Sequence, residues 1–554
     1  LSSTGAGIQK EDPQQGTPDR RSRITAAGSA LFADTRAGMR FFLPVFALLS
    51  TLITLWILAT PLMAYPDEPA HTIKAAAVAR GQFFPSPGQS FGHGVHVQVP
   101  SYIANVESQM CFAFFKDRTA DCAPKIPLDD TTDTIGVTSA GLYNPLYYWL
   151  VGLPSLWLTG GPAIYAMRIA SGLLSAAAYA AAFTALSRLR RPQWPLIAAT
   201  AAMTPMVLFL ASGINPNSLE VAAATAAFCG LVSILDNSNQ LRRARPGVIA
   251  VGLAAATLAN TRNVSLLWLL CGGVTAFMFF RRHHIARIFR DRVVLIVCAI
   301  TAIGLLLGIA WNFLMLRAPA SAGEAPLGIS NFNGEVRPYN AFLTMMDRTF
   351  DYVSQYIGVA GWLDTPMPQG VYMFWNMVLI AMMLLAFTVR PYRLQLGFWV
   401  ALGLLIAVPA FVQAAIVNTS GMIWQGRYSL PIFIIATISA GLTLRTRRLT
   451  GFIPSHQRLG RVVIIAACVS HVYAYLYALR RYVVGLPDAG NWQTMFTVPS
   501  WQPPLSWEVL TALFAATVLA GGAYFYKFLF PDKQLLPSFP RVSNRILLML
   551  KRGS

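Results

Sequence analysis

Apolar stretches alternate with polar ones along almost the whole chain. Runs of about 20 apolar residues are long enough to cross a bilayer's hydrocarbon core as helices. Such runs lie near residues 41–64, 163–186, 194–213, 217–235, 246–260, 263–280, 293–315, 368–388, 394–416, 429–444, 462–479 and 505–529. The pattern predicts an all-α, polytopic membrane protein with about twelve transmembrane helices and no sizeable soluble domain. Residues 1–40 are polar and expected to form a disordered tail, 41–529 form the transmembrane domain, and 530–554 form a basic tail.

The connections between spans are unequal. On one side of the predicted bundle they are long at 65–162, intermediate at 316–367 and shorter near 485–504. Long ordered loops are uncommon unless they carry function, so chemistry is expected on that side. Residues 142–158 are apolar enough to suggest a further span. They also contain Asn144, Pro145, Gly152 and Pro154 beside Tyr143, Tyr147, Tyr148 and Trp149. Aromatic, proline-broken stretches favour the membrane–water interface, and an interfacial helix is expected here in the first outer loop. In the fourth outer loop, residues 339–360 alternate apolar positions with Asp347, Arg348 and Asp351 at helical spacing, which predicts a second interfacial helix.

Charge sets the orientation. The segments opposite the long loops hold thirty of the 43 Lys and Arg residues but only seven of the 23 acids. Basic residues are enriched in cytoplasmic loops, so the long loops are expected outside and both termini in the cytoplasm. The formal net charge of +20 is therefore topology and not a nucleic-acid footprint. The remaining composition agrees. Of 554 residues, 55% are hydrophobic and only 12% charged, against about 25% charged in soluble domains. Soluble enzymes, disulfide scaffolds and disordered chains are excluded. Of six cysteines, only Cys111 and Cys122 fall in an outer loop, where a disulfide and two free thiols are both compatible with the sequence.

Candidate chemistry clusters at the outer ends of the spans. Tyr65-Pro66-Asp67-Glu68-Pro69-Ala70-His71 follows the first run. Its prolines fix the backbone direction of two adjacent carboxylates, which suits a positioned base. The competing reading is that Asp67 and Glu68 cap the helix that follows. Gln425-Gly426-Arg427-Tyr428 opens the tenth span, and Arg262 lies in the tight turn before the sixth. Both arginines run against the inner bias and call for an anionic partner: a carboxylate, a lipid headgroup or a substrate phosphate. Headgroup snorkelling is the bland alternative, and it is the expectation for Arg480 and Arg481. Asn215-Pro216-Asn217-Ser218-Leu219-Glu220 and Gly361-Trp362-Leu363-Asp364-Thr365-Pro366 combine polar groups with turn chemistry. They are expected to line a substrate site, or to cap the following helices through Asn217 or Thr365. His93 and His96, with Asp67, Glu68 and His71 in the same loop, are a weak signal for a divalent metal, and no cofactor is required.

Taken in order, Asp67-Glu68-Pro69-Ala70-His71, Asn215 to Glu220, Gly361 to Pro366 and Gly426-Arg427-Tyr428-Ser429-Leu430-Pro431 resemble a bacterial membrane family, domain of unknown function 2142, over roughly residues 40–480. That family in turn resembles the GT-C superfamily of membrane glycosyltransferases. Tyr143-Asn144-Pro145-Leu146-Tyr147-Tyr148-Trp149 and Ala166-Met167-Arg168-Ile169-Ala170-Ser171 are similar to a Pro-Pro-Leu-Tyr-Tyr-Trp and Ala-Arg-Leu-Pro-Ser pair in such enzymes, with Asn144 replacing the first proline.

The resemblance implies a polyprenyl-phosphate sugar donor and a glycan, lipid or protein acceptor outside the cytoplasmic membrane. It places the base at Asp67 or Glu68 and the phosphate contacts at Arg427 and Arg262. Substrate contacts would fall to His71, Tyr147, Asn215, Asn217, Glu220, Trp362, Asp364 and Tyr428. A phosphate leaving group needs no general acid, and a single attack inverts the anomeric centre; arabinofuranosyl transfer is one case. A transporter or flippase of an envelope precursor is the main rival, although acids in the span centres are essentially lacking. A non-catalytic envelope-assembly partner is the third reading.

Overall fold

The computed structural model describes residues 20–85, 94–316, 336–446, 456–486 and 491–531, with backbone alone at 20–37, 241–246, 316, 419, 456 and 491. His93, the first nineteen residues and nearly all of the 530–554 tail lie outside them.

All twelve predicted runs fall on helix. Among the described residues, nine helices are long and apolar enough to cross a membrane, or ten when one bent pair is taken as a single span. The third, fifth and sixth predicted spans are the shorter ones, each for a local reason. The third is split into Gln193–Ala202 and Pro205–Leu210. Pro205 lacks an N–H and holds Thr204 extended (φ −67°, ψ 164°), so the helix restarts there. The break is tied down by Thr204 Oγ1, which donates to the Tyr356 carbonyl at 2.6 Å. In the fifth, the apolar part is only Gly247–Ala259. The sixth, Ser265–Met278, gives way at the basic run Arg281-Arg282, where the chain bends by 120° into Arg282–Ile288. The first helix begins at Arg20, inside the segment expected to be a tail.

Pro216–Asp236 and Gly426–Leu444 form the centre of the bundle, each 94% buried over its apolar window. Arg292–Met315 lies at the periphery at 11%, turning Ile300, Ile303, Leu306 and Leu307 outward. A contiguous outward apolar face of this kind belongs in lipid.

The described parts of the loops at 65–162 and 316–367 cover one end of the bundle. Residues 142–158 form no span: Pro145–Gly152 is an eight-residue helix followed by a short 3-10 turn at Leu153–Leu156. Asn144 starts it by accepting the Leu146 N–H at 3.0 Å. It packs on the Glu68–Ala79 helix, where Gly152 permits backbone contact: a Cβ there would lie 2.0 Å from the Ala75 carbonyl oxygen. The predicted helix over 339–360 is two helices, Pro338–Asp347 and Asp351–Ile357, with Arg348 pairing to Asp351 at 3.8 Å on the surface.

The first loop also contains a two-stranded antiparallel sheet, Val95–Pro100 with Asp133–Thr138, which the sequence reading did not anticipate. Its signal was the alternation Val95-His96-Val97-Gln98-Val99, in which the valines are buried while His96 and Gln98 face out. Cys111 and Cys122 are joined as a disulfide. Arg480 and Arg481 do not snorkel: they are 4% and 0% exposed. Arg481 donates to the Phe112 and Phe115 carbonyls, both at 2.8 Å, and so anchors the first loop to the bundle.

Gly152→Ala is expected to cost about 1–3 kcal/mol through forced separation of the two outer helices. A thermal unfolding midpoint measured in detergent several degrees below wild type would show it, and an unchanged midpoint would contradict the close contact.

Candidate functional site

The site is built from the end of the first span. Its helix stops at Ala59, and the carbonyls of Thr60 and Pro61 lie just beyond that end. Arg168, in the outer part of the Gly160–Ser187 helix, takes them up. Its Nη1 donates to the Thr60 carbonyl at 3.0 Å and its Nη2 to the Pro61 carbonyl at 2.7 Å. The same guanidinium grips Glu68 through two bonds, Nε to Oε1 at 2.7 Å and Nη2 to Oε2 at 2.6 Å, with both side chains fully buried. Glu68 Oε1 also accepts the Ile214 N–H at 3.2 Å. Glu68 is thus enclosed in a charge-paired joint between three segments and has no opening toward solvent.

Asp67 is placed differently. It precedes the Glu68–Ala79 helix in the left-handed region (φ 63°, ψ 6°), and its side chain makes no capping bond. The capping reading therefore fails for Asp67. The carboxylate is 49% exposed and accepts a 2.6 Å bond from Arg427 Nη2. Desolvation pushes its pKa up, but the Arg427 charge and hydrogen bond, with Arg262 behind them, outweigh this and hold the carboxyl below its usual range.

Arg427 is only 2% exposed. Its Nη2 also reaches the Tyr428 hydroxyl at 3.1 Å, yet its Nε and Nη1 have no hydrogen-bond partner. Buried charged donors without acceptors are costly, so this is where an anion is wanted. A second guanidinium shares the ring beside it: the Arg427 and Arg262 Cζ atoms each lie 5.0 Å from the Tyr428 ring centroid. Arg262 is oriented by Glu220, whose Oε2 accepts from its Nη1 at 2.9 Å. Glu220 is held in turn by Ser265 Oγ at 2.6 Å and Asn217 Nδ2 at 3.1 Å. Burial disfavours the Arg262 charge, but the Glu220 carboxylate beside it outweighs this and raises the pKa above the usual arginine value. On its other side Arg262 lines a cavity of about 270 Å³ with Tyr143, Asn263 and Asn312.

The remaining predicted residues divide. His71, one turn along the helix from Asp67, bonds Tyr148 Oη through Nδ1 at 2.8 Å, and burial drives its pKa down to about 3, leaving the ring neutral. Tyr147 is spent on Ser171 Oγ at 2.9 Å inside the core. Asn215, and not Asn217, caps the Pro216–Asp236 helix by accepting the Asn217 N–H at 2.9 Å, and its Nδ2 fixes the Pro66 carbonyl at 3.0 Å.

Trp362 and Asp364 do not join the cluster as lining residues. Trp362 Nε1 donates to the Met63 carbonyl at 3.0 Å, while Asp364 Oδ2 accepts the Phe114 N–H at 2.9 Å. Both tie the fourth outer loop to the first. Thr365 caps no helix; its hydroxyl bonds Asp364 Oδ1 at 2.8 Å. Among the described residues no group of three His, Cys, Asp or Glu side chains lies close enough to hold a metal ion.

The residue that sequence reasoning left out of the site is Arg168. Its signal was present, because a lone arginine within a long apolar helix needs an internal partner.

The family profile described as "Predicted membrane protein (DUF2142)" matches residues 50–436, most of the chain and all of this site. The chain belongs to the DUF2142 family. No curated protein matches this DUF2142 protein by sequence. Among solved structures it is similar to ArnT from Cupriavidus metallidurans bound to undecaprenyl phosphate. The two share 12% identity over 88% of this chain and 76% of that one, at a TM-score of 0.39. It is also similar to the same enzyme in the apo state, at 12% identity over 86% and 74%, with a TM-score of 0.37.

Two measurements on this DUF2142 protein test the site's electrostatics. Glu68→Gln leaves Arg168 as an uncompensated buried charge and is expected to destabilise by about 3–5 kcal/mol, read as a large drop in unfolding temperature. His71 has a folded pKa below its unfolded value near 6.5, so the unfolded chain binds more protons. Stability from this group is complete above that value and falls as pH drops below it, by up to about 1.4 kcal/mol per pH unit. His71→Gln should flatten the loss of stability between pH 6.5 and 4.5, and an unchanged slope would contradict a neutral, buried His71.

Proposed function

We propose that this protein is a GT-C-type membrane glycosyltransferase. It moves a sugar from a polyprenyl-phosphate donor to a glycan, lipid or protein acceptor on the outer side of a bacterial cytoplasmic membrane. The observation that carries this reading is the half-exposed Asp67 carboxylate beside Arg427, whose buried Nε and Nη1 lack acceptors. The motif resemblance supplies the donor class, and the geometry offers what its chemistry requires. Asp67 takes the proton from an acceptor hydroxyl, and that oxygen attacks the anomeric carbon. The bond from that carbon to the phosphate oxygen breaks, and the lipid phosphate leaves as an anion held by Arg427 and Arg262. Attack opposite the phosphate inverts the anomeric centre. Glu68, enclosed with Arg168, positions Asp67 and takes no part in proton transfer.

The charge asymmetry supports a site on the outer side, with both termini in the cytoplasm. A disulfide at Cys111–Cys122, in a loop tied to the site's end of the bundle, agrees with an oxidising compartment.

The test is reconstitution of the full chain with polyprenyl-phosphate-linked arabinofuranose, mannose and aminoarabinose, scoring transfer to envelope acceptors. Asp67→Asn is expected to lower the rate by about 10²–10⁴-fold in protein that still unfolds cooperatively, at a lower temperature because the buried Arg427 loses its carboxylate partner. Because Asp67 is held below its usual range, the wild-type rate should persist to lower pH than a base at the ordinary aspartate value of about 3.9 would allow. Arg427→Gln should abolish the preference for undecaprenyl phosphate over the uncharged polyprenol. Full activity in Asp67→Asn, or no such preference in wild type, would overturn the reading. Lipid translocation without transfer would return the protein to the flippase class.

A further inference from the structure

A groove of about 340 Å³ runs from the end of the bundle away from Asp67 into its middle, between residues 38–59 of the first helix and the helices Gln193–Ala202, Gln369–Phe387, His456–Val484 and Trp507–Leu529. Its walls are side chains such as Val45, Leu48, Leu52, Phe374 and Phe525. Leu459, Val463 and Tyr524 on its lip are exposed, so it opens sideways. An apolar groove open to the bilayer stays dry and is filled by hydrocarbon.

The groove does not end blindly. Trp194 and Phe528 line both it and a second cavity of about 360 Å³, whose remaining walls include Arg190, Arg191 and Arg445. The carboxylate bonded within this cluster is Asp236. It accepts from Arg445 Nη1 at 3.0 Å and from the Arg190 backbone N–H at 3.0 Å. Arg191 Nη1 donates to the Thr446 carbonyl at 3.2 Å. Among the described residues, three arginines line or border the cavity with Asp236 as the carboxylate bonded among them, and Arg190 and Arg191 are exposed. A dry slot leading to a mouth rich in cationic groups has the shape and polarity of an amphiphile with a phosphate head.

We propose that this groove is a binding site for an anionic glycerophospholipid of the leaflet opposite Asp67, with an acyl chain in the slot and its phosphate held by Arg190, Arg191 and Arg445. The sugar donor is the wrong occupant. The 22-residue stretch Gly38–Ala59 of the first helix runs between the two ends, which at 1.5 Å per residue puts the arginine mouth roughly 33 Å from the Asp67 end.

The experiment exchanges the purified full chain into micelles containing equal phosphatidylglycerol and phosphatidylcholine of identical chains, and counts retained lipid by native mass spectrometry. Wild type is expected to retain at least about tenfold more phosphatidylglycerol, with the preference shrinking at high salt. Arg190→Gln with Arg191→Gln should bring the ratio to within about twofold of parity while total lipid retention persists. Ala467→Phe, which fills the slot, should lose the retained lipid. If that variant unfolds, the exposed arginine pair alone decides. Equal retention in wild type, or a preference that survives the double substitution, overturns the proposal. So does displacement of phosphatidylglycerol by undecaprenyl phosphate through the same arginines.

Discussion

Removing an ionised carboxylate and a guanidinium from water is affordable only if each satisfies the other and every remaining donor finds an oxygen. The Glu68–Arg168 joint meets that condition. Arg168 divides its donors between Glu68 and the carbonyls left where the first span stops. Glu68 spends its oxygens on Arg168 and on the backbone before the Pro216–Asp236 helix. Three segments distant in sequence meet at one pair of side chains. Asp67, the preceding residue, inherits its position from that joint.

The two neighbouring acids therefore divide by environment and not by residue type. Glu68 is enclosed and neutralised, while Asp67 is half exposed and faces Arg427. Around Asp67 two guanidinium groups flank one ring: Arg427, then the Tyr428 ring, then Arg262, with a carboxylate at each end, Asp67 on Arg427 and Glu220, fixed by Ser265 and Asn217, on Arg262. Each guanidinium is braced from behind, so its free edge need not reorganise when an anion arrives. Arg427 keeps two nitrogens, Nε and Nη1, without hydrogen-bond partners in a buried setting, a cost that an anion beside it would remove.

Much of the fold was legible because a bilayer imposes a length on every apolar run, and all twelve runs became helix. The exceptions arose where local chemistry overrides length: Pro205 breaking one span and Arg281-Arg282 bending another. The strand at Val95–Pro100 was hidden by flanking glycines that read as loop. In the site, Asp67, Arg427, Arg262 and Glu220 were nameable because each was a charge out of place. The choice between Asp67 and Glu68 was not readable, since it depends on Arg168, a hundred residues away along the chain. Trp362 and Asp364 looked like ligand-binding residues, but their hydrogen bonds hold two loops together.

The backbone at position 67 is itself a selector. A left-handed conformation is costly for most side chains, and asparagine and aspartate are the non-glycine residues that adopt it most readily. The turn would thus discriminate against glutamate before any reaction took place, whatever its acidity. Among the twenty amino acids, the geometry of one peptide unit leaves a single residue able to supply a negative charge there at low conformational cost, with its amide as the natural uncharged counterpart.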